Sequence, residues 1–238
     1  MPYEPHIRSA FDNDLDAVKA QVGRMGGLVE TALLNAAEAL EAGDLTLAEQ
    51  VRHDDRIIDE LDDMIQSECA RIVALRAPIA TDLRTVLTVM RIAAALERCG
   101  DYAKNLAKRT MVLTEMRPIP GAAIAIKRMT RAVVQMLSNA LNAYFTEDAV
   151  LAEEVRQSDR EIDQLYNSLF REFLTHMMED PRNITACMHL HFIAKNIERV
   201  GDHATGIAEH VLYLVKGSYP EDDRAKGDDI SLAASQRT

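Results

Sequence analysis

Apolar residues recur at spacings of three and four through nearly all of the first 216 positions, the pattern of helices that bury one face. In one stretch they are Leu47, Val51, Ile58, Leu61, Ile65, Ile72 and Leu75. In the next they are Val89, Ile92, Leu96, Cys99, Ala103, Leu106 and Leu113. None of the seven prolines (Pro2, Pro5, Pro78, Pro118, Pro120, Pro181 and Pro220) interrupts a long periodic segment, as their exclusion from helix interiors requires. Gly43-Asp44 adds a break, with glycine suited to a helix end and aspartate to the next N-cap. These marks predict six long helices near 6–42, 44–75, 79–116, 121–146, 148–178 and 182–216. At about 1.5 Å per residue, each is a rod of roughly 45 Å. The fold class is therefore all-α. Residues after Gly217 are polar and patternless, which predicts a mobile tail over 217–238.

The chain repeats itself. Moved forward by 104 positions, Asp44–Leu61 falls on Asp148–Leu165 with 11 of 18 residues identical. Met25/Met129, Val29/Val133, Asn35/Asn139 and Ala36/Ala140 extend the match to the first and fourth helices. With a shift of 101, Leu96–Asp101 (LERCGD) falls on Ile197–Asp202 (IERVGD). Polar positions recur along with apolar ones, which ordinary coiled-coil periodicity does not require. The reading is two tandem three-helix bundles, residues 1–117 and 118–216, descended from one unit.

The preserved polar residues are mostly acidic and four apart: Asp55 with Asp59, Glu97 with Asp101, Asp159 with Asp163, and Glu198 with Asp202. Such residues share a helix face, with Cβ atoms about 5–6 Å apart. Their carboxylates repel unless a cation lies between them, and a hard cation takes several oxygen ligands in such a setting. With 38 acids among 238 residues, an isolated pair at this spacing arises by chance. The signal is recurrence at matching places in both halves. Glu97 and Asp101 sit one position off the apolar stripe, so they should line the groove beside it. The competing reading is an ion-pair lattice in which Arg52, Arg56, Arg98, Arg156, Arg160 and Arg199 neutralise the acids across the helix interface. Gly100 and Gly201, inside helices, point to close packing or to room for a ligand, packing being the simpler reading. His203 adjoins Asp202 and is the best candidate for an additional ligand; its counterpart is Tyr102. Cys99, replaced by Val200 in the copy, and the methionines read as core.

Charge and composition narrow the classes. There are 27 Lys+Arg against 38 Asp+Glu, a net charge of −11, with no Lys/Arg-rich run, which argues against nucleic-acid binding. The most membrane-like stretch, Ala132–Thr146, is too short to span and carries Gln135, Ser138, Asn139 and Asn142. The N-terminus lacks the apolar core of a secretion signal. Cys69, Cys99 and Cys187 are odd in number and form no CxxC pair, which suits a reducing cytoplasm. No GxxxxGK[ST] loop, HExxH or ExxH occurs.

Two units that each carry VRxxDRxID (Val51–Asp59 and Val155–Asp163) followed by an ERxGD segment (LERCGDYAKNLAK and IERVGDHATGIAE) resemble the PhoU family. These are accessory proteins of the bacterial phosphate-specific transport system. The resemblance spans about residues 5–216. It implies a cytoplasmic, non-enzymatic, commonly homodimeric regulator that represses the phosphate-starvation response when phosphate is plentiful. The implied partners are the ATPase subunit of the phosphate ABC transporter and the phosphate sensor histidine kinase. The implied cofactors are divalent or trivalent metal ions: iron, zinc, magnesium or manganese. Carried onto this chain, the metal ligands are Asp55, Asp59, Glu97 and Asp101 in the first unit, and Asp159, Asp163, Glu198 and Asp202 in the second. A carboxylate-bundle metalloenzyme and a metal-free helical scaffold are the competing functions.

Overall fold

The turns between rods are built from a small set of capping devices. Asp44 accepts hydrogen bonds from Thr46 N at 2.9 Å and Leu47 N at 3.0 Å, starting the second helix. Asp148 repeats this with Val150 N at 2.8 Å and Leu151 N at 3.0 Å. Just before these caps, the chain turns through the left-handed region at Gly43 (φ +65°) and Glu147 (φ +52°). A computed structural model describes residues 4–220. It comprises α1 (Glu4–Ala42), α2 (Leu45–Arg76), α3 (Thr81–Leu113), α4 (Ala122–Thr146), α5 (Ala149–Glu179) and α6 (Ile184–Lys216). A short 3-10 turn, Pro181–Asn183, leads into α6 and is capped by Asp180.

The sequence-derived helices are all present. The third ends at Leu113, three residues short of the expected 116. Pro118 and Pro120 follow closely, and a residue before proline is disfavoured in the helical region. Of the apolar stripes, Leu75 departs: it lies in the last turn of α2 and is exposed. Tyr219, expected within a patternless tail, instead stacks on Tyr213 with ring centroids 4.4 Å apart, because Gly217 (φ +82°) turns the chain back onto α6. The rest of the expected tail, residues 221–238, lies outside the described residues.

Helices α1, α2 and α3 pack on one another, as do α4, α5 and α6, giving two three-helix bundles. The bundles meet through α1 against α4 and α3 against α6. Both pairs run antiparallel. Lys19 pairs with Glu147 at 3.9 Å near one end of the α1–α4 contact, and Lys127 pairs with Glu38 and Glu41 near the other. Along α3–α6, Arg84 lies 5.7 Å from the Tyr213 ring centroid, Tyr102 meets His203 at 5.8 Å, and Arg109 reaches His189 at 3.1 Å. Tyr102 and His203 are equivalent positions, so a pseudo-twofold axis passes between them. The inner four helices thus form a square. Helix α2 flanks α1 and α3 on one side, and α5 flanks α4 and α6 on the other.

The core runs continuously through this square, with Met25, Leu33, Ile92, Leu96, Ile126, Leu137 and Tyr144 fully buried. Cys69, Cys99 and Cys187 are buried free thiols. Burial pushes the Cys69 thiol up to about 11, so these cysteines act as core, not as nucleophiles. Among the described residues, no helix is long and apolar enough to cross a membrane.

Candidate metal centre

The first groove forms where α3 settles onto α2. Gly100 permits the approach: a Cβ there would stand 3.1 and 3.2 Å from Ile58 carbons and 3.4 Å from Asp55 Oδ1. Gly201 likewise faces Ile162 at 3.3 Å, so both helical glycines serve close packing. Asp55 is only 3% exposed. Its Oδ2 accepts from Lys104 Nζ at 2.5 Å, while Oδ1 is buried with no hydrogen-bond partner. Lys104 also lies 3.8 Å from Asp101, and the Asp55 hydrogen bond holds its ammonium pKa above the ordinary lysine value. Asp59 and Glu97 are both raised from their ordinary values, first by desolvation. Neighbouring acids add to this: Asp55, Asp101 and Asp63 act on Asp59, and Asp101, Asp59 and Asp62 act on Glu97. The four expected ligands of this unit therefore share one field, and Asp62 and Asp63 belong to it too.

The second groove lies between α5 and α6. Glu198 is 9% exposed; its Oε1 accepts from Lys195 Nζ at 2.7 Å and its Oε2 is buried without a hydrogen-bond partner. Burial raises the Glu198 pKa, with Asp202 and Asp163 contributing and Lys195 opposing. The Lys195 ammonium sits 5.1 Å from the Tyr166 ring centroid, within cation–π range. Asp159 pairs with no lysine among the described residues; the Thr205 hydroxyl lies 3.2 Å from its Oδ1. Tyr166 and Phe170 crowd against His191, with ring centroids 6.0 and 5.2 Å away.

The expected arginine lattice across the interface is mostly absent from the observed pairs. Arg52 bonds Glu49 at 2.6 Å, Arg56 approaches Glu60 at 3.7 Å, and Arg98 lies 3.5 Å from Glu97 and 3.7 Å from Asp101, all within single helices. Arg156 alone of this group has a described bridge to another helix, to Glu209 at 3.6 Å. For Arg52, Arg56 and Arg98 the described acidic partners lie one to four positions away on the same helix. The cations that enter the grooves are Lys104 and Lys195, which the repeat does not flag because each occurs in one copy. The discernible signal was spacing: Lys104 lies three residues after Asp101, and Lys195 three before Glu198. His203 packs against Tyr102 at the seam, its imidazole pushed down by burial and then by Arg98 and Arg199.

Each set of four acids thus lines one groove on facing helices. As placed, no three His, Cys, Asp or Glu side chains among the described residues converge on a single ion position. The donors nevertheless suit a hard cation: all eight are carboxylates, and Asp55 and Glu198 each bury an oxygen without a hydrogen-bond partner. Each groove already draws in one ammonium. The residues therefore fit a metal of the oxygen-preferring class.

Comparison with known proteins places this architecture. The sequence model of the PhoU domain matches residues 22–110 and again 126–211. A phosphate-specific transport system accessory protein PhoU homolog of Rhizobium meliloti is 43% identical over 230 residues, 97% of each chain. The homolog of Zymomonas mobilis is 45% identical over 229 residues, 94% of each chain. The crystal structure of PhoU from Pseudomonas aeruginosa superposes with a TM-score of 0.84 at 39% identity, covering 87% of this chain and all of that one. The phosphate transport system regulatory protein PhoU from Streptococcus pneumoniae gives 0.82 at 29% identity, covering 89% and 99%.

Proposed function

The chain belongs to the PhoU family, and from that premise we propose that it is an accessory regulator of phosphate-specific transport, repressing the phosphate-starvation response when phosphate is plentiful. The observation that carries this reading is 43% identity, over nearly the full length of both chains, to a relative named for that accessory role. In this reading the protein is a cytoplasmic, homodimeric adaptor without catalysis of its own. It contacts the ATPase subunit of the phosphate ABC transporter and the phosphate sensor histidine kinase. Long rods suit such a role, because they present wide, rigid faces to partners. Each groove holds a hard cation through its carboxylates: Asp55, Asp59, Glu97 and Asp101 in one, and Asp159, Asp163, Glu198 and Asp202 in the other. A bound ion would neutralise the acids and cross-link the flanking helix to the central square.

A deletion strain tests the regulatory reading. It should make alkaline phosphatase constitutively in high phosphate, and normal repression in its absence would end the proposal. The lysines in the grooves favour a second reading, a metal-free scaffold neutralised from within. The metal titration below separates the two.

A further inference from the structure

The two grooves carry their internal cations at non-equivalent positions. Ala94 stands in α3 where Lys195 stands in α6, and Thr205 stands in α6 where Lys104 stands in α3. The second helices have diverged as well: Asp62 and Asp63 of α2 correspond to Tyr166 and Asn167 of α5. The α2–α3 groove therefore gathers Asp55, Asp59, Asp62, Asp63, Glu97 and Asp101 around one lysine. That lysine is committed to Asp55 and stands 3.8 Å from Asp101. Among the described residues, the α5–α6 groove gathers the four acids Asp159, Asp163, Glu198 and Asp202. Its lysine bonds the most buried of these, Glu198, at 2.7 Å and rests over Tyr166 at 5.1 Å.

We propose that Lys195 is a built-in counter-cation that competes with metal for the α5–α6 groove, so that the two grooves load unequally, the α2–α3 groove first. This rests on the metal-binding reading above. Two physical terms act in the same direction. Cation affinity in oxygen sites rises with the number of ligand charges, and the α2–α3 groove has more of them. Before Glu198 can serve an ion through both oxygens, the Lys195 ammonium must leave both its carboxylate and the Tyr166 face. Lys104 likewise holds one oxygen of Asp55, and each lysine leaves the other oxygen of its acid, Asp55 Oδ1 or Glu198 Oε2, buried without a hydrogen-bond partner, so the grooves differ in the Tyr166 contact and in the acids left over. Asp59 and Asp62 have no cationic partner among the described ion pairs, and Arg98, 3.5 Å from Glu97 and 3.7 Å from Asp101, is 61% exposed and so screened by solvent.

Chelator-stripped, full-length protein titrated with manganese and followed by calorimetry tests this. Wild type should show two affinity classes, with Asp101→Asn removing the stronger and Asp202→Asn the weaker. Lys195→Met, and Lys195→Gln as a polar control, should tighten the weaker class about tenfold or more and leave the stronger alone. Ala94→Lys, which installs the same ammonium in the other groove, should weaken the stronger class by a similar factor. Lys195 is 38% exposed, so these variants are expected to fold, as circular dichroism would verify. A single class of equal sites, or a weaker class unmoved by both Lys195 variants, overturns the inference while metal binding itself stands. No manganese uptake by wild type or by any variant removes the metal-binding reading, and the inference with it.

Discussion

At the corner after its first helix the N-terminal unit turns on Gly43, while the C-terminal unit turns on Glu147 in the same left-handed conformation. A side chain there costs roughly 1 kcal/mol that glycine avoids. Near the far end of the second helix, Cys69 in α2 corresponds to Phe173 in α5, and both are fully buried. Farther along the third helix, Lys104 bonds Asp55 in one unit, and the Thr205 hydroxyl meets Asp159 in the other. The rods, caps and paired acids repeat, but the side chains around them do not. Helix placement depends on periodicity and capping, which many sequences satisfy. Core filling and charge neutralisation depend on particular atoms, and each unit solves them separately.

The largest expected effect tests the core half of this comparison. Phe173→Ala should cost about 3–5 kcal/mol in urea unfolding, because a fully buried ring leaves a cavity. Cys69→Ala, at the equivalent position, removes one sulfur and should cost about 1 kcal/mol. The room left by the small Cys69 coincides with a large neighbour from the other bundle: buried Tyr144 lies close enough for the thiol to help raise its phenol pKa, after desolvation. Equal losses at the two positions would mean that the cores are interchangeable and that the comparison is wrong.

The next effect concerns charge. Removing Lys104 leaves Asp55 a buried carboxylate with neither oxygen paired to a lysine. Discounted for the 41% exposure of the lysine, Lys104→Met should cost about 2 kcal/mol in chelator-containing buffer. Thr205→Val at the matching position removes a hydroxyl from a half-buried carboxylate and should cost about 1 kcal/mol or less. Chemical denaturation of both variants decides it. A Thr205→Val loss as large as that of Lys104→Met would show the two neutralisation schemes to be equivalent after all.

Much of this was legible in the sequence, for reasons that differ by level. Apolar periodicity, proline placement and Gly43-Asp44 located all six rods, since each is a local signal. Recurrence singled out the eight acids, and the structure distributes them four to a groove. The antiparallel α3–α6 seam was not legible, because periodicity says which face is buried and not against what. Lys104 and Lys195 were missed because a cation present in one copy leaves no trace in a repeat. The left-handed turn at Glu147 was hidden for a similar reason: its glycine signal survives only at Gly43. The arginine lattice is mostly absent because Arg52, Arg56 and Arg98 pair with acids on their own helices, leaving Arg156–Glu209 as the described bridge between helices.

The smallest effect lies at the seam, where His210 and Arg109 are equivalent positions with different titration behaviour. Arg109 keeps its charge over the Phe192 ring at 4.6 Å. His210 is partly buried beside Tyr219, whose hydroxyl is 3.3 Å from its Nδ1, and burial, followed by Arg91, pushes its imidazole down to about 4. An unfolded histidine titrates near 6.5. Between those values the unfolded chain takes up a proton that the folded chain refuses, so stability falls as pH drops from about 6.5 and levels off below about 4. After a discount for solvent reaching the ring, the loss is about 1–2 kcal/mol. His210→Gln should remove that portion of the acid limb, read as urea midpoints across this pH window, whereas Arg109→Gln should leave the slope unchanged. A wild-type slope identical to that of His210→Gln would mean that the imidazole titrates as it does in water, and that the two ends of the seam behave alike.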